Sequence, residues 1–558
     1  MMARPRRNPA LLLSLFATVA CQAAGAGPSG DGTDEGSTGD DPASTGDDAQ
    51  ASTGASGDTD ADGSGDTGQP AADVPAQGLR ISRVEANPGV AIPIAIDGAW
   101  VEGSQRNAPI PKGRDTAFRV YVDVDEASWT PRELEARLTV TQPDARETVV
   151  TATAMIAEDS STTSLQSNFL LGVLAADMLP GAKLQVELFE VDGAAAAPEG
   201  TEPPRAFDDG ANIIGIEGSS QQMRVVMVPV QYQYGSCSTL PELTPEALQP
   251  YADAMYQQNA LESLEIEVHT PLLVDDLDLT DANDFFSLLS RVVQLRAQDG
   301  PAPNVYYYAL FDNCGECISE SGGCLLGVAP GQPGASQAEA SQRAAIGVRY
   351  LGTEEMGIET FVHEIGHTQG RAHIACPGAQ AAGPDFSYPY DNGSIGVWGF
   401  GVRDFEIRNP SNHKDYMSYC SPTWVSDWQW SATFARIKAL TEWDALVVPP
   451  PQSTILVGTY NPETGESAFW TEPGELAPPD TVGSAASLAL VGPGGPLHVS
   501  SADVDAWSEG PWVTVRANLP TRAVVDASEA FELRLPQHTA RIERHAVRLD
   551  LADTLRAR

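Results

Sequence analysis

Eleven consecutive residues, His363-Glu364-Ile365-Gly366-His367-Thr368-Gln369-Gly370-Arg371-Ala372-His373, carry three of the eight histidines in this 558-residue chain. On a helix, His363 and His367 stand four residues apart and project from one face, so their imidazoles can share one metal ion. Gly370 can end that helix, because glycine tolerates the positive φ of a helix C-terminus and lets the chain turn back. His373 then approaches the same ion from outside the helix. Three neutral nitrogen ligands suit Zn2+ and leave the fourth tetrahedral position open to water, the arrangement of a catalytic zinc and not of a closed structural one. Glu364, beside the first ligand, is placed to take a proton from that water. The five fixed letters at these spacings are expected by chance on the order of 10⁻⁵ times in a chain of this length and composition. A helix with two idle surface histidines does not account for the stretch.

Such residues need a frame. Ahead of them, Met223 to Val230 is an apolar run broken by Arg224 and Pro229, as in a strand buried on both faces. Leu264 to Val268, Val305 to Phe311 and Ala344 to Tyr350 read as further strands. Thr244 with Pro245 marks an N-cap and first helical residue for a helix to about Asn259, and Asp281 to Gln298 has helical spacing. The histidine helix is expected over Glu359 to Gln369. After it, Ser426 with Gln429 forms a capping box for a helix from Asp427 to about Glu442, packed by Trp424, Trp428 and Trp430. Residues 220–448 thus read as a central α/β (α+β) domain. Residues 78–219 alternate apolar and polar positions, as in Phe118, Val120 and Val122 or Leu134, Ala136 and Leu138, and are expected to form a β-sandwich-like support domain. Beyond the stiff Pro449-Pro450-Pro451, residues 452–558 are β-rich again, with Ile455 to Val457, Trp512 to Val515 and Phe531 to Leu535 as strand candidates. The fold class is multidomain, a central α/β domain flanked by β-sandwich-like ones.

The full stretch resembles the H-E-x-x-H-x-x-G-x-x-H signature of metzincin zinc endopeptidases. The resemblance implies a metzincin-like central domain, one catalytic Zn2+ on His363, His367 and His373, Glu364 as general base, and a protein or peptide substrate. Asp415-Tyr416-Met417-Ser418-Tyr419-Cys420 is similar to the family's Met-turn, with Met417 at the position that lies beneath the ligands. Tyr419 matches the tyrosine that approaches the zinc or the oxyanion in astacin-like and serralysin-like members. The resemblance further implies that Ser421 to Thr423 wall the pocket for the side chain after the scissile bond. It also implies that Ala344 to Tyr350 is an edge strand on which an extended substrate pairs. His413, near the turn, reads as a loop residue, since three ligands are already provided.

Six cysteines follow Cys21: Cys237, Cys314, Cys317, Cys324, Cys376 and Cys420. An even number in an exported chain favours disulfides, and Cys314-Gly315-Glu316-Cys317 lacks the second C-x-x-C of a four-thiolate zinc site. Cys376 and Cys420 each lie three residues beyond a site feature, His373 and Met417, and are expected to pair. Export is read from Arg4, Arg6 and Arg7 ahead of the apolar Ala10 to Ala20, the anatomy of a signal peptide over residues 1–21. The run ends Thr18-Val19-Ala20-Cys21, which resembles a bacterial lipoprotein cleavage box with Cys21 as the lipidated residue, though Thr18 stands where leucine is usual. An outer-membrane or cell-surface lipoprotein is expected, otherwise a secreted one. Residues 22–77, rich in Gly, Ser, Thr, Ala and Asp without Lys or Arg, read as a disordered acidic tether.

The net charge of -43, from 33 Lys and Arg against 76 Asp and Glu, excludes nucleic acid as a partner and leaves the membrane reachable only through the lipid. The acidic run Asp275 to Asp284 lacks the spacing of a Ca2+ loop and reads as a solvated turn. A competing reading is a non-catalytic adhesin or binding protein on a metzincin-like fold that has lost turnover. Against it, every catalytic letter is present.

Overall fold

The computed structural model describes residues 73–191, 200–206, 212–320, 323–349, 353–379, 383–445, 453–477 and 486–549. The expected signal peptide, Cys21, nearly all of the tether and Pro449-Pro450-Pro451 lie outside the described residues. Strand pairing starts slightly ahead of the expected boundary at Gly78: Pro75 bridges Phe189, and the Ala76 N–H donates to Leu188 O at 3.1 Å.

Seven longer strands come first: β1 (Leu79–Asn87), β2 (Ile92–Ile96), β3 (Thr116–Val124), β4 (Arg132–Thr141), β5 (Glu147–Ile156), β6 (Phe169–Val173) and β7 (Lys183–Glu190). They make two antiparallel sheets, ordered β2-β1-β3-β6 and β5-β4-β7, each extended by a two-residue strand. The period-two pattern explains the pairing. Leu134, Ala136 and Leu138 of β4 and Val186 of β7 share one core with Val84 of β1 and Val120 and Val122 of β3. The other face of β3 departs from the expected polar exterior, for Arg119 and Tyr121 are buried too. Tyr121 donates to Glu85 at 2.7 Å and Arg119 to Thr162 O at 3.1 Å. A second layer covers that face: Phe400 and Val402, in the loop after His373, pack on Ala117.

The middle of the chain holds β8 (Gln222–Tyr234), α1 (Pro245–Gln258), β9 (Ser263–Val268), α2 (Ala282–Asp299), β10 (Val305–Phe311), β11 (Gly327–Val328), β12 (Ala344–Val348), α3 (Glu354–Thr368) and α4 (Asp427–Thr441). Strands β8, β10 and β12 are parallel neighbours, and β9 pairs parallel on the outer side of β8. Both faces are apolar, as a doubly covered parallel sheet requires. Val225, Met227, Tyr306, Tyr308 and Ala345 meet α1, α3 and α4 on one side; Val226, Val228, Tyr307, Ala309 and Ile346 meet α2 on the other. The helix starts follow their caps. Thr244 Oγ1 accepts the Ala247 N–H, and Asp281 accepts those of Asn283 and Asp284.

Two expectations are corrected. The strand expected over Ala344 to Tyr350 runs over Ala344–Val348, Tyr350 lying outside the described residues, and it is not an edge: β12 is flanked by β10 and, antiparallel, by the two-residue β11, which takes the outer position. The capping box on α4 is only half made. Ser426 Oγ accepts the Gln429 N–H, but the Ser426 N–H goes to Asp415 and the Gln429 side chain accepts from Arg371.

Seven longer strands follow: β13 (Thr454–Tyr460), β14 (Ser467–Pro473), β15 (Ser487–Gly492), β16 (Gly495–Ala506), β17 (Val513–Asn518), β18 (Ala530–Arg534) and β19 (Thr539–Glu543). They form one sheet in the order β19-β18-β15-β16-β17-β13-β14. Leu456, Val515 and Phe531 close a core of their own, whereas Ile455, Val457, Trp470, Trp507 and Trp512 join the α2 side of the central sheet. The chain is thus a mixed, mostly β, multi-sheet protein whose parts share cores. No helix among the described residues is long and apolar enough to cross a membrane.

Candidate metal centre

Helix α3 begins at Glu354, earlier than expected, and ends at Thr368. Gly370 follows with φ of 81°, and a Cβ there would lie 2.6 Å from Pro333 O, so both the left-handed turn and the close approach require glycine. The turn brings His373 back over the helix. His367 Nε2 lies 3.1 Å from His363 Nε2 and 3.0 Å from His373 Nε2. His367 and His373 are buried and His363 is partly so.

The tautomers are fixed by carbonyl partners. His363 Nδ1 donates to Tyr416 O at 2.8 Å, and His367 Nδ1 donates to Arg371 O at 2.7 Å. A neutral imidazole with its proton on Nδ1 carries a lone pair on Nε2. Two such lone pairs therefore face each other at 3.1 Å, which is repulsive without a cation between them. Two nitrogen ligands of one tetrahedral zinc stand about 3.3 Å apart, so the observed spacing fits a metal ion held by all three rings. Among the described residues these histidines are the one such group of ligating side chains. Burial and the neighbouring His373 pull His363 down to about 3, and burial, then His373 and His363, hold His367 well below the usual histidine range, so both rings favour the neutral form that ligation requires.

The segment Asp415 to Ser418 supports two of the three histidines. Buried Asp415 accepts the Met417 N–H at 3.0 Å and the Ser426 hydroxyl at 2.6 Å, which fixes the turn to the start of α4. The turn presents Tyr416 O to His363, while Met417 O accepts the N–H of Ile374, next to His373. Met417 is fully buried, and its Sδ would stand 2.4 Å from a Cβ on Gly366. Arg371, whose carbonyl holds His367, is itself held by Gln429 at 2.7 Å and lies over Trp428. The disulfide Cys376–Cys420 ties the segment after His373 to this turn, and Cys237–Cys314 and Cys317–Cys324 complete the set. Three disulfides suit an oxidising compartment, extracellular or periplasmic.

Glu364 is buried on the same helix, and its Oε2 has no hydrogen-bond partner among the described residues. Burial, and after it the Glu509 carboxylate, lift it well above the usual carboxylate range. A Cβ on Gly327 of β11 would sit 2.6 Å from Glu364 Cγ, so this outer strand runs directly past the carboxylate. Tyr419 places its hydroxyl 3.0 Å from His373 Nε2 and donates to Glu509 Oε1.

Other expected residues lie apart. His413 bonds back to Asn409 O and is no part of the triad, and Thr423 donates to Glu359 on α3 at 2.7 Å. Trp430 and Trp424 pack α4 against the N-terminal sheets, donating to Pro109 O and Gly89 O. In the acidic run, Asp276 pairs with Arg291, and Asp278 and Asp281 cap local backbone. Two site residues were not visible in the sequence. Asp415 gives no spacing signal for its buried bracing role, and Glu509 arrives from the turn between β16 and β17.

No protein-family model matches the chain, and no curated protein matches it. Among solved structures, a Bacteroides fragilis protein provisionally assigned as a beta-galactosidase is 11% identical, with 85% of this chain and 73% of that chain covered, at a TM-score of 0.14. That likeness carries no argument about this site.

Proposed function

We propose that this chain is an exported zinc endopeptidase of metzincin type, hydrolysing peptide bonds in proteins, with Cys21 as its lipid anchor. The observation that carries this reading is the convergence of three histidine Nε2 atoms beside a buried carboxylate that has an oxygen to spare. The resemblance of His363 to His373 and of Met417 with Tyr419 to the metzincin pattern supports it, as does the support that the Met417 turn gives to His363 and His373.

His363, His367 and His373 would hold the ion, which when bound supplies a water of near-neutral pKa and polarises a carbonyl. Glu364 Oε2 takes the proton of the attacking water and returns it to the leaving amine. The Tyr419 hydroxyl donates to the developing oxyanion, a contact whose loss typically costs about 3–4 kcal/mol of barrier.

The test is hydrolysis of casein or a quenched peptide library by the purified chain. Cleavage that a zinc chelator abolishes and added zinc restores is expected. A zinc-loaded chain that cleaves neither substrate argues for the binding-module reading instead.

A further inference from the structure

The turn from Trp507 to Trp512, at the tip of the β16–β17 hairpin, belongs to the C-terminal β-rich part yet borders the metal centre. It is fixed on several sides. Trp507 and Trp512 are buried and stacked with centroids 5.1 Å apart, and the Trp507 indole donates to Thr514 at 3.0 Å. The Ser508 N–H donates to Ala329 O at 2.9 Å, while Ser508 Oγ accepts the Ala329 N–H at 3.0 Å, lacing the tip to the residue that follows β11. A Cβ on Gly510 would lie 2.2 Å from the Phe286 ring of α2. With its neighbours anchored in this way, Glu509 has a fixed backbone and a side chain aimed inward. Its Oε1 accepts the Tyr419 hydroxyl and stands 3.6 Å from His373 Nε2.

We propose that the C-terminal β-rich part completes the site through Glu509, a positioning residue that holds the Tyr419 ring so that its hydroxyl stays beside His373. This rests on the proteolytic reading given above. Tyr419 is 43% exposed on a surface turn, with its ring centroid 5.8 Å from that of His363 and 4.8 Å from that of His373, and the Glu509 contact fixes where its hydroxyl stands against these rings. A carboxylate accepting from the phenol fixes the ring's position. Rotation about the phenol C–O bond then suffices to redirect the proton toward an oxyanion as it develops. The buried tryptophans make this a permanent part of the site and not a releasable plug.

The test is a double-variant cycle on the full chain with Glu509→Ala, Tyr419→Phe and both together. Glu509→Ala is expected to lower kcat roughly 10–100-fold with KM little changed, as removal of a residue that orients a reacting group does. The double variant should be no slower than Tyr419→Phe alone. Glu509→Gln, which keeps an acceptor oxygen, should recover part of the loss. A second cycle reads thermal unfolding of the metal-free chain, where the two substitutions should shift the midpoint non-additively. Additive midpoints overturn the contact itself, whatever the activity. Non-additive midpoints with kcat effects that simply multiply overturn the positioning role. If the metal-loaded wild type hydrolyses nothing, the proteolytic reading falls and the positioning role with it, while the metal-free cycle still decides whether Glu509 holds Tyr419.

Discussion

His367 is the shared vertex of the triad, with the Nε2 atoms of both other histidines within 3.1 Å of its own Nε2. His367→Ala therefore leaves two rings without their common neighbour. Metal affinity, read by chelator competition, is expected to fall by more than about 100-fold, beyond what loss of an outer hydrogen-bond partner costs. His413→Ala, which removes a ring whose bond among the described residues goes to the Asn409 carbonyl, should leave it unchanged. The same distinction explains what could be read from residues alone. The three histidines and Glu364 lie within eleven residues on and just after one helix, so their spacing states their geometry. Glu509 lies more than a hundred residues away, between two tryptophans in a turn. A single glutamate there has no period and no partner in sequence, and only the packing of one part of the chain on another brings it to Tyr419.

Helix α3 and the Met417 turn meet without a gap. A methyl on Gly366 would lie 2.4 Å from Met417 Sδ and 2.9 Å from the Tyr416 ring, and Tyr416 also supplies the carbonyl that orients His363. Gly366→Ala is expected to cost about 1–3 kcal/mol by overpacking and to weaken metal binding along with stability; unfolding midpoint and metal titration on the same samples check both. Replacing Cys376 and Cys420 together by Ala should cost about 2–4 kcal/mol, because the bridge constrains the long loop between His373 and the turn. Calorimetry of the reduced and oxidised wild type bounds that figure. The regular elements were readable wherever a cap or a period marked them: β10 matches its expected limits, Thr244 caps α1 as the sequence indicates, and the helix expected from Asp281 to Gln298 runs over Ala282–Asp299 with Asp281 as its cap. The outer strand was not readable. Gly327 and Val328 are too few to show a period, so β12 took its place in the sequence reading. The box expected at Ser426 and Gln429 failed for a related reason, because tertiary partners Asp415 and Arg371 took the groups that a local cap would have used.

Composition and proline-rich breaks divide the chain into a central part and two β-rich flanks, and the sheets follow that division. The packing crosses it. One core runs from Val84 and Val120 through Phe361 to Trp430, and another from Val228 and Ile346 to Trp470 and Trp512. Neither flank is simply strung beside the middle. Trp470→Ala, in β14, should therefore cost about 3–5 kcal/mol and lower the unfolding midpoint of the metal site as well as of its own sheet, followed by metal release against temperature. The shared cores also explain how Glu509 can be held at a site built by α3. In the proposed function all parts converge on one hydrolytic centre, in which Glu364 moves the proton. Zinc-loaded wild type and Glu364→Gln should contain the same amount of metal, while the variant cleaves a quenched peptide library slower by about 10²–10⁴-fold or more. Equal rates from equally loaded samples would contradict the account.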